Sequence, residues 1–327
     1  MKFIITVDVE EDDPWSRPER VRTLNSRYVS HFQQLCDHFR FKPTYLCSYE
    51  MVLCKTFQTF IKPVLKRDDA EVGAHLHPWR CPPLEELTGQ DHKYIPYPHE
   101  YPDNLILEKL KNLTQAIRDH IGVEPRSYRA GRWGFTKSHI PMLEALGYRV
   151  DSSMTPKVSW QDADGLPGGL GGIDFSLADI YPNYLYHGEN GKRRSSILEV
   201  PVTILFPFRL FNLWNVRWKF FTNNKNPLLA RIIRRVGLAP HWLRQYAYMS
   251  LRDLIRVYMR ARDINLPCIN LMFHSNELMP GGSPYNPDQK SVDALYVKLE
   301  RLFQFLSQEN VQSLTLSGFA RLFTEQQ

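Results

Sequence analysis

Cysteine pairing is the first thing this sequence does not offer. Its five cysteines, Cys36, Cys47, Cys54, Cys81 and Cys268, are odd in number and scattered, and none forms a C-x-x-C pair. That speaks against a disulfide frame and a thiolate zinc site, and fits reduced thiols in a cytoplasm. Long hydrophobic runs are also missing, and none approaches the length of a membrane span. The opening run Phe3-Ile4-Ile5-Thr6-Val7 is too short for a secretory signal and leads straight into acids. The expected location is therefore cytoplasmic. No internal repeat or coiled coil is visible. A net charge of +6 comes without any nucleic-acid-binding motif, so no nucleic-acid partner is expected.

What the chain does have is material for a core. Of its 327 residues 43% are hydrophobic and 13% aromatic, and one α/β barrel can reach this length. A single domain over 1–327 is expected. Within it, residues 209–262 differ in composition, and 160–262 are expected as a variable insertion.

Short apolar runs rich in β-branched residues alternate with amphipathic stretches. Strands are expected at 2–9, 43–47, 70–76, 127–130, 148–150, 197–203, 268–273 and 313–316. Helices are expected at 26–39, 49–65, 104–121, 138–146, 227–236, 251–262, 292–306 and 319–323. Polar residues repeatedly follow the strands. That rhythm reads as an α/β barrel or open sheet carrying its site at the strands' C-terminal ends. Residues 81–102, rich in Pro, His and Tyr, read as a long loop on that rim. Residues 160–190 are Gly-rich and read as a flap or an insertion.

His75 and His77 stand one residue apart at the end of an apolar run. On a strand, positions i and i+2 share a face. The pair can therefore aim two imidazoles at one divalent cation, or simply be two satisfied polar side chains. Asp8 and Glu10 repeat the spacing after the first strand and read as functional. Glu11, Asp12 and Asp13 read as solvated loop charge. Arg129 and Arg132 lie among Gly131 and Gly134, where two guanidinium groups can clamp an anion or merely form a polar turn. Asp151 and His274 each follow a further strand.

The stretch 217–262 is strongly basic. Residues 227–236 place Arg231, Arg234 and Arg235 opposite an apolar face. An ordinary surface helix is the expected reading, with peripheral contact to an anionic inner membrane face as the alternative.

Taken in order, Asp8/Glu10, His75/His77, Arg129, Asp151 and His274 resemble the motif series of the polysaccharide deacetylases with the NodB homology domain, carbohydrate esterase family 4. Thr6-Val7-Asp8-Val9-Glu10 resembles the first motif, Glu71-Val72-Gly73-Ala74-His75 the second, and Arg129 with its glycines the third. Asp151-Ser152-Ser153 falls in the region of the fourth, and Leu271-Met272-Phe273-His274-Ser275 resembles the fifth. The closer likeness is to the WalW-like subgroup of lipopolysaccharide gene clusters. The resemblance covers most of the chain and implies a distorted (β/α)7 barrel. Two departures stand out. The family's adjacent Asp pair is here Asp8-Val9-Glu10, and its second motif histidine, four after the first, falls on Trp79, so that His77 must take its place.

The resemblance implies a divalent metal held by Glu10, His75 and His77, with zinc expected first and nickel, cobalt or iron as alternatives. It implies Asp8 as general base oriented by Arg129, and His274 as the acid that protonates the departing amine. Asp151 would set the tautomer of His274 or the charge of its neighbours, and Asp8 and Glu10 could exchange roles. Trp79, Arg132 and Trp133 are expected at the substrate, and Tyr94, Tyr97, Tyr101 and Trp160 could stack on sugars or simply pack. The implied activity is N-deacetylation of an N-acetylated carbohydrate in surface polysaccharide or lipopolysaccharide synthesis. The alternatives are another C–N amide hydrolase on the same barrel, or an inactive glycan-binding protein.

Overall fold

The computed structural model describes residues 1–188, 191–208, 239–246 and 248–325, together with Phe211. The expected helix at 227–236 lies outside the described residues.

Among the described residues there are ten strands: β1 (Lys2–Val9), β2 (Pro43–Cys47), β3 (Glu71–Leu76), β4 (Ser127–Ala130), β5 (Val150–Asp151), β6 (Asn183–His187), β7 (Arg193–Glu199), β8 (Ile204–Leu205), β9 (His241–Trp242) and β10 (Cys268–His274). Eight form one sheet in the order β10-β1-β2-β3-β4-β5-β7-β6. All neighbours in it are parallel except the β6/β7 pair at one edge. Past β7 the chain crosses to the other edge. Thr203 donates its N–H to Asn270 O at 3.3 Å, and the Asn270 N–H reaches Thr203 Oγ1 at 2.8 Å. The seven parallel strands are thereby closed through irregular backbone, and the expected distorted (β/α)7 barrel is the observed one.

Why these runs form barrel strands is visible in β1. Phe3, Ile5, Val7 and Val9 alternate into the layer between sheet and helices. Ile4 faces the other way, into a cluster with Leu46, Val150 and Leu198, which is closed at the bottom by Leu316 and Phe319. Thr6 and Asp8 continue that inner face upward and are buried as polar groups. Burial on both faces accounts for the nearly unbroken apolar runs.

The helices are α1 (Val29–Phe39), α2 (Tyr49–Leu53), α3 (Lys55–Lys66), α4 (Asp91–Tyr94), α5 (Asp103–His120), α6 (His139–Ala145), α7 (Leu251–Asp263), α8 (Gln289–Gln308) and α9 (Leu316–Glu325). Three expectations need correction. The helix expected at 49–65 is two helices, because Cys54 is extended (φ −67°, ψ 114°) and ends α2. The strand expected at 313–316 is a single bridge between Ser313 and Phe3, and Leu316 already opens α9. The stretch 160–190 contains β6, which pairs antiparallel with β7. No helix among the described residues is long and apolar enough to cross a membrane.

Candidate metal centre and active site

Register brings the site together. The β1/β10 ladder sets Asp8 opposite His274, and the β3/β4 ladder sets His75 opposite Arg129. Glu10 and His77 follow two residues after Asp8 and His75 and lie on the same rim. All four are buried.

Glu10, His75 and His77 each offer one ligand atom, and these atoms lie within 4.8 Å of one another. Glu10 Oε2 is 3.6 Å from His75 Nε2 and 3.3 Å from His77 Nε2. Ligand atoms about 2.0–2.1 Å from a tetrahedral zinc stand roughly 3.3 Å apart, so the spacing fits a divalent cation. The chemistry fits as well. His75 Nδ1 lies 3.1 Å from the Arg129 carbonyl. Donation from that nitrogen would fix the tautomer that leaves Nε2 as the ligand. Glu10 Oε1 accepts from Asn276 Nδ2 at 3.2 Å, which orients the carboxylate. Burial, followed by the nearby His75 and His274, holds the pKa of His77 well below the ordinary histidine range, so its imidazole is neutral and ready to ligate. Trp79 packs flat on His77, with ring centroids 4.6 Å apart and planes at 18°.

Asp8 sits just below this cluster, 3.9 Å from His75 Nε2. Its other oxygen accepts from Arg129 Nη1 at 2.5 Å. Arg129 is fully buried, and every donor the structure pairs points to a fixed acceptor: Thr6 Oγ1 and Ser152 Oγ at 2.9 Å each, and Ser152 O at 2.7 Å. Burial alone would raise the pKa of Asp8. The guanidinium of Arg129, helped by His75 and His274, outweighs it and holds the carboxyl below the usual range.

His274 faces the same space from β10. Its Nε2 is 4.0 Å from Asp8 Oδ2 and 3.8 Å from Glu10 Oε1. Its Nδ1 lies 2.9 Å from Glu277 Oε1, and that carboxylate also accepts from Arg244 Nη2 at 2.7 Å. Burial opposes ionisation of Glu277, but Arg244 and His274 prevail and keep its pKa low. His274 Nδ1 therefore meets Glu277, and Arg244 Nη2 at 2.9 Å as well, but not Asp151. Asp151 does not line the cavity. It accepts from Ser153 Oγ at 2.6 Å, which in turn accepts from the Ala130 N–H at 2.8 Å. Asp151 shares a buried environment with Glu199 that raises the pKa of both carboxyls, chiefly through desolvation.

These groups open into a cavity of about 320 Å³, within the range of small-ligand sites. Trp79, Arg132, Trp133, Trp160 and Tyr97 line it. Arg132 binds chain rather than empty space: it donates to Ile95 O, to Tyr97 OH at 3.1 Å and to Asp164 O at 2.6 Å, pinning two rim loops. Arg132 and Trp133 adopt left-handed backbone angles (φ 52° and 61°), a cost typical of functional sites. Tyr94 and Tyr101 are absent from the lining, and Tyr101 packs inside with its hydroxyl on Asp91 at 2.6 Å.

Glu11 and Asp12 are not solvated loop charge. Glu11 is buried against Arg80 at 3.0 Å, and burial together with Glu50 pushes its pKa up to about 7. Asp12 caps the backbone N–H groups of Leu24 and Asn25 at 2.9 Å. Sequence reasoning also missed Glu277, Arg244, Trp15, Tyr246 and Tyr285. Glu277 had a signal, being an acid three residues after His274. Arg244 was hidden within a run of basic residues, yet it is 4% exposed.

No protein-family model matches the chain, and no curated protein matches it in sequence. Solved structures do match by fold. A Parabacteroides distasonis protein assigned as a glycoside hydrolase/deacetylase aligns over 100% of this chain and 72% of its own, at TM-score 0.64 and 10% identity. The 4-alpha-glucanotransferase of Thermococcus litoralis aligns over 97% and 39%, at 0.56 and 12%. A Mycobacterium smegmatis protein assigned as a polysaccharide deacetylase aligns over 99% and 91%, at 0.50 and 15%. The chain thus has the barrel fold of the NodB-type polysaccharide deacetylases.

Proposed function

We propose that the protein is a metal-dependent hydrolase that removes the acetyl group from an N-acetylated sugar or glycan. The observation that carries this reading is the convergence of Glu10, His75 and His77 within 4.8 Å, flanked by an arginine-held carboxylate and by a carboxylate-held histidine.

A divalent cation bound by Glu10, His75 and His77 would polarise the acyl carbonyl and acidify a water. Asp8 is ionised at neutral pH and held on one side by Arg129, so its free oxygen accepts the proton of the attacking water. An amine leaves only when protonated. His274 supplies that proton from Nε2 while Glu277 keeps Nδ1 oriented. Arg129 acts through Asp8 and makes no approach to the cavity itself. Trp133 and Trp160, stacked with centroids 6.3 Å apart, form an aromatic wall of the same cavity. The substrate would be a glycan intermediate of surface polysaccharide or lipopolysaccharide synthesis, as the likeness to the WalW-like subgroup implies.

The test is the metal content of the purified chain and of Glu10→Gln, His75→Ala and His77→Ala after incubation with zinc, nickel, cobalt or iron. One equivalent in wild type and loss in all three variants is expected, together with amine release from N-acetyl sugars by wild type alone. A wild type that retains none of these metals sinks the reading, and metal retained by His77→Ala removes that residue from the site.

A further inference from the structure

The proposed chemistry leaves two fully buried carboxyls without a role. The β5/β7 ladder sets Asp151 opposite Glu199, deep in the barrel. The two carboxyls are hydrogen-bonded to each other. That contact requires a proton on one of them, since two buried carboxylates side by side repel. Glu199 is the one that keeps it. Its Oε1 accepts from the Met154 N–H at 3.1 Å, but Oε2 has no donor among the described residues. Burial, and then Asp151, raise its pKa well above the carboxylate range. Asp151 instead faces two donors, Ser153 Oγ at 2.6 Å and the Ser153 N–H at 3.3 Å, which favour its ionised form.

From Asp151 the hydrogen bonds run on to the metal centre. Ser153 Oγ accepts from the Ala130 N–H at 2.8 Å. That N–H belongs to the same peptide group as the Arg129 carbonyl, which lies 3.1 Å from His75 Nδ1. Chemistry fixes each direction, because an amide N–H only donates and a carbonyl only accepts. Ser153 therefore passes its own proton to Asp151, and His75 Nδ1 carries the proton that meets the Arg129 carbonyl. One row of donors results, from His75 Nδ1–H through the 129–130 peptide and the Ser153 hydroxyl to a carboxylate. Every member is buried, so water does not compete. Hydrogen bonds in such a row polarise one another in the low dielectric of a protein interior. Glu10 pulls the other way: its Oε2 lies 3.6 Å from His75 Nε2 and, in the metal-free chain, draws a proton to that side.

We propose that Asp151 and Ser153 are positioning residues for His75: through the 129–130 peptide they hold its proton on Nδ1 and keep Nε2 free and electron-rich for a divalent cation, with Glu199 as the acid that leaves Asp151 ionised. The use of Nε2 as a ligand rests on the metal centre of the proposed function, whereas the hold on the His75 proton does not.

The experiment uses the full chain labelled with ¹⁵N-histidine. In the metal-free protein at about pH 9, where neutral imidazole prevails, the ¹⁵N shifts of His75 report which ring nitrogen holds the proton; its signals are those missing from His75→Ala. Zinc affinity is measured in parallel by competition with a chelator. Wild type is compared with Ser153→Ala, Asp151→Asn and Glu199→Gln. Asp151→Asn nearly keeps the shape of the side chain and tests the link should Ser153→Ala not fold. The expected result is a mainly Nδ1-protonated His75 in wild type and a shift toward the Nε2-protonated form in Ser153→Ala and Asp151→Asn. Zinc binding weakens by about tenfold in both. Glu199→Gln, whose amide donates to Asp151 as the protonated acid does, keeps the wild-type tautomer and affinity. No tautomer shift in Ser153→Ala and Asp151→Asn, a shift that leaves zinc affinity untouched, or equal losses in all three variants, as packing alone would give, overturns the proposal. The two readings fail separately: a wild type that holds no zinc removes the deacetylase reading, while the tautomer of His75 still decides the role of Asp151 and Ser153.

Discussion

Arg129 and Asp8 form a fully buried ion pair whose two halves come from strands separated by more than a hundred residues. Removing one half leaves the other uncompensated. Arg129→Met is expected to lower stability by about 3–5 kcal/mol, measured by urea unfolding at pH 7; a change within experimental error would contradict the pairing. The sign of its pH dependence follows from the lowered pKa of Asp8. The pair stabilises the fold above the unfolded carboxyl value of about 4, and that contribution fades as pH falls through the folded value. Glu277 makes a second prediction at this scale. Glu277→Gln keeps the shape of the side chain but cannot hold a charged partner for His274 Nδ1. On the deacetylase reading, kcat should fall by about 10²- to 10⁴-fold, with KM and metal content nearly unchanged. An unaltered kcat would remove Glu277 from the machinery.

Among the secondary-structure elements, the strand ends do the positioning. Gly131, just past β4, packs so closely on the rim of β3 that an added Cβ would collide with the Leu76 carbonyl and the His77 ring. Gly131→Ala should therefore displace His77 and weaken metal binding by about 10- to 100-fold, the size of effect seen when ligand support is disturbed. The circular dichroism spectrum should be retained, and an unchanged metal affinity would show that His77 is not held there. Lys109 of α5 supports the same rim from below. Its buried ammonium donates to the carbonyls of Pro78, Cys81 and Pro83, tying down the loop that leaves the histidine pair. The strands β1, β2 and β10 were legible because their apolar runs are short and followed by polar residues. β6 and β9 were not, since neither run stands out from its Gly-rich or basic surroundings; β6 is one arm of a hairpin with β7, and β9 pairs with β8 across a long intervening stretch. The short 313–316 run looked like a strand, but only Ser313 finds a partner before α9 begins.

For the molecule as a whole, acid sensitivity should have an identifiable source away from the site. His139 opens α6 and is fully buried, with Nε2 lacking a partner among the described residues. Burial lowers its pKa to about 4. The unfolded chain therefore takes up a proton on this residue near pH 6.5, whereas the folded chain does so only near 4. Stability rises with pH across that window and is lost as pH falls from about 6.5 toward 4. Between pH 7 and pH 5 the loss from this group is about 2 kcal/mol. His139→Gln should flatten the urea midpoint over the same interval, and an equally steep profile in the variant would contradict the assignment.

The sequence by itself determined the alternation of strand and helix, the inner polar face of β1 and the order Asp8/Glu10, His75/His77, Arg129, His274 along the chain. Those features depend on local periodicity, and a two-residue repeat on a strand commits side chains to one face before any tertiary contact forms. Only the tertiary structure decided what those residues meet. It sets His274 against Glu277 rather than Asp151, turns Arg244 from an apparent surface charge into a buried partner, and ties Arg132 to backbone carbonyls. It also sinks Glu11 and Asp12 beneath the rim. Apart from the His274–Glu277 contact, three residues apart, these outcomes hang on pairing between segments separated in sequence, where burial decides whether a charge is solvated or paired, and local periodicity does not carry that information.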